Sequence, residues 1–361
     1  MGANKRKRVY FFMNEFGLTG SETLLSQFIQ DLSNDPLYSI CVITSSKSSI
    51  LSTSISKNIQ IEYFSATYSF YDKVKSFFNI DILGRRLNKL LGNNPPDIIY
   101  LNTVNNAYLL PYLKSYTCKK ILHIHELLMG LNTMTPGDFK YMMELTDEIV
   151  ACSELVKNLY VDIYSGPITL INSTQQYGAS KVIEERKEKG TKIRIVCAGT
   201  ICYRKGFDRF LEAAQYLSND RFELYWFGQY DHSAYSLWVK NKLALKQYKH
   251  VQIKSFATQD SYLADLASCD LFLFTSREES MGMVLMDAIA CNLPIISLER
   301  NGSSLIVKGP VNKMIQLDAL PHIDHIVMDT LEEHKQTPLP AQQPFQYHEE
   351  FTSFKGLLDK S

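Results

Sequence analysis

The chain has 361 residues, enough for two domains of ordinary size. Its 38 basic and 38 acidic residues cancel to a formal net charge of zero, which argues against a nucleic-acid binder relying on a broad basic field. No apolar run reaches transmembrane length, and the seven scattered cysteines, with no C-x2-C pair, argue against a disulfide frame or zinc site and suit buried thiols in a reducing compartment.

The chain opens on a basic stretch, Lys5–Arg8. Val9–Met13 is too short for a signal-peptide core, and Arg6 breaks the myristoylation pattern. The expected location is therefore cytoplasmic. The basic start can touch anionic lipid at the inner membrane face, or be only a solvated terminus. Val9–Met13 reads as a first strand. The loop Phe16-Gly17-Leu18-Thr19-Gly20-Ser21-Glu22 follows, then the helical stripe Leu24, Leu25, Phe28, Ile29 and Leu32. A glycine here lets backbone approach a phosphate, although Gly17-x-x-Gly20 lacks the full dinucleotide-binding spacing.

Short runs rich in Val, Ile, Phe and Tyr then recur: Ile40–Thr44, Ile59–Phe64, Ile98–Asn102, Ile121–His125, Ile149–Cys152 and Ile168–Ile171. A second series comprises Ile193–Cys197, Phe222–Phe227, Val251–Phe256, Leu271–Phe274 and Ile295–Leu298. Helical stretches lie between them, and such alternation predicts parallel sheets covered by helices. The polar segment 174–192 is the expected linker, giving domains at 1–173 and 193–346. The stretch from Val311 on is expected to be short and irregular. After the breaker-rich 334–346, Phe351, Phe354 and Leu358 recur as on a short amphipathic helix, so helix 347–361 is expected to join the first domain.

Chemistry-bearing residues fall at the strand ends. Asn102 closes one strand, as a turn residue or an acceptor contact. His125 and Glu126 close another; a histidine there can bond a sugar hydroxyl in either tautomer, and Glu126 can order an acceptor or cap the next segment. His123 and His125 alternate and are expected to face opposite sides of the strand, His123 inward. The histidines make no metal pattern, and no metal site is expected. In the second half, Arg204 and Lys205 follow the first strand beside a helix start, where a cation suits a diphosphate.

Residues 277–298 are the most informative stretch. A loop with Glu279 and Gly282 separates a buried strand from a helix running from about Gly282 to Cys291, stopped by Asn292 and Pro294. An open parallel sheet places its ligand at such a loop, and the helix-start amides near Gly282, Met283 and Val284 offer an anion site. Asp287 lies inside the helix, so one carboxylate can face a sugar and the other a ribose, since diols donate well to charged oxygens.

Glu279-x7-Asp287, with Ser280-Met281-Gly282-Met283-Val284 and Ala288–Pro294 around it, resembles the signature of retaining GT-B glycosyltransferases, particularly glycosyltransferase family 4. Gly199-x5-Lys205-Gly206 resembles the same family's diphosphate-binding element. The likeness extends to Gly20 near the donor diphosphate, to His125 facing the donor sugar, to Ser153 and to Gly228. The sequence departs from the pattern at Asp287 (usually Glu), Asn292 (usually Gly), Thr200 (often Arg), Thr19 (Gly) and near Leu305–Ile306 (usually an acid).

The resemblance implies a GT-B fold: two Rossmann-like α/β domains facing each other across a cleft. It implies transfer of a sugar, with retention, from a nucleotide diphosphate sugar to a hydroxyl of a glycan or lipid-linked acceptor, in bacterial polysaccharide or glycoconjugate synthesis. Donor binding falls mainly to the second domain and acceptor binding to the first. The nucleotide sugar is a co-substrate, and no separate cofactor is expected. In this reading Glu279, His125 and Lys205 are catalytic. Gly20, Arg204, Lys205, Gly282, Met283, Val284 and Asp287 hold the donor, and Asn102 and Glu126 meet the acceptor. The alternatives are a nucleotide-sugar epimerase or phosphorylase on the same fold, and a non-catalytic partner of another transferase. A dehydrogenase is disfavoured by the incomplete glycine motif.

Overall fold

The computed structural model describes residues 6–14, 20–45, 56–67, 69, 80–92, 94–174, 191–231, 233–299, 312–337 and 346–360. Two compact units result, one of Met1–Gln175 with Tyr347–Ser361 and one of Gln176–Gln346. The expected linker lies almost wholly outside the described residues, as do the loop 15–19 and the departure at Leu305–Ile306.

The first unit is built on seven parallel strands: β1 (Lys7–Met13), β2 (Tyr38–Thr44), β3 (Ile59–Tyr63), β4 (Ile98–Asn102), β5 (Lys119–Ile124), β6 (Glu148–Ala151) and β7 (Ile168–Leu170). Their order is β3-β2-β1-β4-β5-β6-β7. Successive side chains alternate between faces, so Val9, Phe11 and Met13 join one core and Tyr10 and Phe12 the other. Burial on both faces explains why these strands read as continuous apolar runs. The helix Gly20–Leu32 covers the first face with Leu24, Leu25, Phe28, Ile29 and Leu32.

The helix Tyr347–Asp359 covers the same face. Phe354 stacks on Phe28 with ring centroids 4.9 Å apart and reaches Phe11 and Tyr100. Polar ties reinforce it. Glu350 accepts from the backbone and side-chain N–H groups of Asn172 at 2.8 and 3.0 Å, and Lys355 pairs with Asp35 at 2.7 Å.

The second unit repeats the plan with six parallel strands: β8 (Ile193–Ala198), β9 (Phe222–Phe227), β10 (Val251–Lys254), β11 (Leu271–Phe274), β12 (Ile295–Leu298) and β13 (Lys313–Ile315), in the order β10-β9-β8-β11-β12-β13. β13 is absent from the sequence reading. Its three residues lack an apolar run of their own, and only pairing with Ile296–Leu298 makes them a strand. The stretch beyond Val311 is also more regular than expected. It holds the 14-residue helix Ile323–Gln336, whose Ile323 and Val327 close the core over β8, β11 and β12.

In each unit the strand order reverses once, between β1 and β4 and between β8 and β11. At such a switch point neighbouring crossovers leave toward opposite faces and open a crevice beyond the carboxyl ends of the strands. The residues singled out from sequence cluster at these two places.

Candidate active site

In the second unit the loops after β8 and β11 interlock. Lys205 Nζ donates to Glu279 Oε2, while Arg204 Nη1 lies 3.7 Å from Glu279 Oε1 and donates to the Glu278 carbonyl at 3.2 Å. Glu279 is buried. Burial raises its carboxyl pKa, but the charges of Lys205 and Arg204, the Lys205 hydrogen bond and the Gly282 amide outweigh it, and the group is held below its ordinary value. The carboxylate is therefore ionised, aligned and enclosed.

Glycines make this approach fit. Gly206 has φ +71°, and a Cβ there would stand 2.1 Å from the Thr275 carbonyl oxygen. Gly228 ends β9, where a Cβ would come within 2.0 Å of the Gly199 oxygen. Only bare backbone lets the ends of β8, β9 and β11 draw together around Lys205. Thr275 Oγ1 donates to the Lys205 carbonyl at 3.1 Å and the Arg277 amide to the Arg204 carbonyl at 2.8 Å, tying the loops directly.

Sequence reasoning missed a second clamp. Arg277 donates to both carboxylate oxygens of Asp208, at 2.7 and 2.5 Å, and lies over the Tyr203 ring at 3.8 Å. Asp208 also accepts from the Tyr235 hydroxyl at 2.8 Å. The fork fixes the residue two before Glu279 to the residue three after Lys205. A first-turn acid and a loop arginine are visible in the sequence, but nothing there pairs them.

Gly282, at φ +73°, precedes the helix Met283–Ala290, so the first-turn amides of Met283 and Val284 lie beside the Glu279 loop. Asp287 stands inside that helix, buried, accepting from the Tyr262 hydroxyl at 3.0 Å. Tyr262 is another residue the motif did not reveal. Burial, then the Asp287 charge, pushes its phenol well above the ordinary range, so it remains a donor. Asn292 takes the left-handed conformation, φ 54°, that ends the helix.

In the first unit, His125 Nε2 lies 2.9 Å from Asn102 Oδ1. With that oxygen as acceptor, Nε2 carries the proton. Asn102 is fully buried and Glu126 receives the backbone N–H groups of His125 and Val104 at 3.0 and 3.3 Å. Asn102 thus orients His125, and Glu126 caps the strand ends. Gly20 opens the helix Gly20–Leu32, with Glu22 buried in its first turn. Ser153 caps the helix Glu154–Tyr160 through the Val156 amide.

The expectation that His123 and His125 face opposite sides is incorrect. Their ring centroids are 3.9 Å apart. Side chains two positions apart along a strand share a face, so the period of two itself sets His123 and His125 side by side at the end of β5. Tyr100 Oη bonds His123 Nδ1 at 2.9 Å. Burial lowers the pKa of both rings, His125 to about 3 and His123 well below its ordinary value, helped by His125. Beside them Thr103 holds φ 70°, a strained position for a β-branched residue.

Among the described residues no cluster of three His, Cys, Asp or Glu side chains is arranged to hold a metal ion. No helix among them is long and apolar enough to cross a membrane. The cysteines are all free thiols, most of them buried.

Comparison with known proteins gives the geometry a context. Residues 192–320 match the family model of glycosyl transferases group 1. An uncharacterized glycosyltransferase of Methanocaldococcus jannaschii is 25% identical over 178 residues, 49% of this chain and 47% of that one. The putative colanic acid biosynthesis glycosyl transferase WcaC of Escherichia coli is 21% identical over 258 residues, 68% of this chain and 60% of that one. The match thus spans about half the length of these relatives. The crystal structure of HepE from Anabaena, in complex with UDP and glucose, superposes with a TM-score of 0.78 at 14% identity, covering 99% of this chain and 100% of that one. The chain therefore carries a glycosyl transferases group 1 domain at residues 192–320 and has the fold of GT-B glycosyltransferases.

Proposed function

We propose that the chain is a glycosyltransferase moving a sugar, with retention, from a nucleotide diphosphate sugar to a hydroxyl of a glycan or lipid-linked acceptor. The buried Lys205–Glu279 pair at the β8/β11 switch point carries this reading. In the reaction the anomeric C1–O bond to the diphosphate breaks, a bond from the acceptor oxygen to C1 forms, and the acceptor proton leaves toward the departing diphosphate. The leaving group gains negative charge. Lys205, Arg204 and the first-turn amides of Met283 and Val284 are fixed positive ends for that charge, and one such donor is worth about 3 kcal/mol in the transition state.

Glu279 holds Lys205 in place and, being ionised, accepts from hydroxyls of the transferred sugar. Asp287 has the chemistry to accept from a ribose diol. His125, neutral and with its proton on Nε2 toward Asn102, presents Nδ1 as an acceptor nitrogen. Gly20, at the first helix start, suits close approach of a phosphate. A role in polysaccharide synthesis is favoured by the likeness to the colanic acid transferase. The Anabaena relative has been solved with UDP-glucose, so uridine nucleotide sugars head the donor search.

The test is a panel of UDP-, GDP-, ADP- and dTDP-sugars screened by thermal unfolding, followed by transfer assays with the stabilising donor. A donor at a hundredfold its Kd stabilises by about 2.7 kcal/mol. One base and sugar should stabilise wild type, and Lys205→Ala and Glu279→Ala should abolish transfer. Absence of stabilisation by every donor, or full turnover in both variants, overturns the proposal. Epimerised donor in the absence of acceptor would establish the epimerase instead.

A further inference from the structure

We infer that the outer face of the helix Ala234–Leu243 and the turn after it form a docking surface for an anionic lipid bilayer. The sequence has no Asp or Glu between Asp231 and Asp260, yet this stretch holds Lys240, Lys242, Lys246, Lys249 and Lys254, in a chain whose total charge is zero. Helical spacing sorts the side chains. Ser236 and Val239 turn inward and are buried. Leu237 and Trp238 fall on the opposite side, 62% and 41% exposed, and Leu245, in the turn after the helix, is 46% exposed. Lys240 and Lys242 flank this stripe, Lys240 over the Tyr230 ring and Lys242 over the Trp238 ring, while Lys246 and Lys249 stand exposed in the following turn.

An outward Leu-Trp-Leu stripe bordered by lysines is the arrangement of an interfacial segment. The apolar tips enter the acyl boundary, the indole sits at headgroup depth, and the ammonium groups reach lipid phosphates. The charge favours an anionic bilayer over a neutral one. Among the described residues, acidic side chains beside the patch come from the helix Phe207–Ala214 and from Asp231, which accepts from Ser236 at the start of the docking helix. Asp208 and Glu212 line the groove beside Trp238 and Lys242, but Asp208 is neutralised by Arg277, leaving Glu212 and Asp231 against four lysines. This surface is separate from the basic chain start, where Lys7 donates to the Leu358 carbonyl and Arg8 pairs with Asp97.

The chain's two tryptophans make the test direct. Trp226 is fully buried, so a change in emission on adding vesicles reports Trp238. Full-length protein is titrated with phosphatidylcholine vesicles and with equimolar phosphatidylglycerol–phosphatidylcholine vesicles, with co-sedimentation in parallel. The expected result is a blue shift and partitioning with the anionic vesicles alone. Lys240→Ala/Lys242→Ala should weaken partitioning by about fivefold per lysine, and Leu237→Ser/Leu245→Ser should abolish the shift. All four positions are solvent-facing, so unchanged thermal unfolding establishes that the variants fold. Equal binding to both vesicles, wild-type partitioning by these variants, or self-association through Trp238 in place of vesicle binding overturns the inference. No outcome depends on glycosyl transfer, so the proposed activity is tested separately.

Discussion

Lys205 and Glu279 stand 74 positions apart in the chain and meet as an ion pair whose side chains are only 11% and 9% exposed. Removing Glu279 strands Lys205 as a buried charge without its partner, a cost of about 3–5 kcal/mol, whereas removing Lys205 leaves Glu279 with Arg204 at 3.7 Å and costs less. Glu279→Ala and Lys205→Ala should each lose transfer. The buried pair adds that each loses part of its stability margin, Glu279→Ala the larger part, while still folding at low temperature. Lys205→Met/Glu279→Met should recover most of the loss in urea denaturation and still transfer no sugar. A double variant as unstable as the singles would show that the pair is not the source of the cost.

The two adjacent imidazoles set an acid limit on the first unit. Their folded pKa values are depressed, so both rings are neutral in the native state, and their contribution is intact above the ordinary value of 6.5. As pH falls below 6.5 the unfolded chain takes up protons that the native rings refuse, and stability drops by about 1.4 kcal/mol per pH unit for each ring. For His125 the loss continues to about pH 3. Glu279 is depressed from 4.5, so its contribution is complete above that value and lost only below it. Hydrogen exchange of β4 and β5 amides between pH 7 and 5 should therefore show opening well before the second unit responds. His125→Gln should remove about half the slope. An unchanged slope in that variant would rule out His125 as a contributor.

Strand periodicity and the glycine–lysine and carboxylate spacings made most of the architecture legible. An apolar run buried on both sheet faces leaves a mark independent of its neighbours. β13 left no such mark, because its strand character comes from pairing with β12. The histidine geometry was legible and the expectation ran against it: a strand has a period of two, so His123 and His125 belong on one face, as their 3.9 Å ring separation shows. Lys205, Glu279 and Gly282 could be named because each sits at a strand or helix end. Arg277–Asp208 and Tyr262–Asp287 could not, because pairs 69 and 25 residues apart are joined only by folding.

Arg277 and Asp208 should behave as positioning residues. Each alanine variant frees one loop from the other. Donor KM should then rise and kcat should fall together, as Lys205 and Glu279 lose register; misplacement of about 1 Å costs roughly a hundredfold. Arg277→Lys should rescue poorly, because a lysine cannot form the two-pronged bond. A double-mutant cycle on kcat/KM should give a coupling of about 0.5–3 kcal/mol. Additive losses would mean that the pair does not hold the loops.

Gly206 combines two constraints. Its φ of +71° disfavours any side chain, and its Cβ position falls 2.1 Å from the Thr275 oxygen. In Gly206→Ala the β8 and β11 loops must separate, moving Lys205 away from Glu279. We expect a stability loss of about 1–3 kcal/mol from backbone strain together with loss of donor stabilisation in thermal unfolding. Gly137→Ala is the control, since a Cβ there meets only Thr135 Oγ1 at 3.7 Å, an ordinary contact. Donor stabilisation equal in both variants would show that the close approach is dispensable.

Tyr262 supports the shorter carboxylate. Asp287 is one methylene shorter than glutamate, and the Tyr262 hydroxyl fixes it at 3.0 Å. Tyr262→Phe leaves the ring in place and removes only the donor, so a buried carboxylate loses one partner at a cost of about 1–3 kcal/mol. If Asp287 accepts from the nucleotide ribose, the less firmly oriented carboxylate should weaken binding of the whole nucleotide, donor and product diphosphate alike, raising donor KM with little change in kcat. Asp287→Glu with Tyr262→Phe tests the same idea from the other side: the longer side chain no longer needs the phenol to reach, and donor affinity should partly return. Calorimetry with the nucleoside diphosphate measures this without turnover. A Tyr262→Phe protein that binds the nucleotide as wild type does would confine the hydrogen bond to packing.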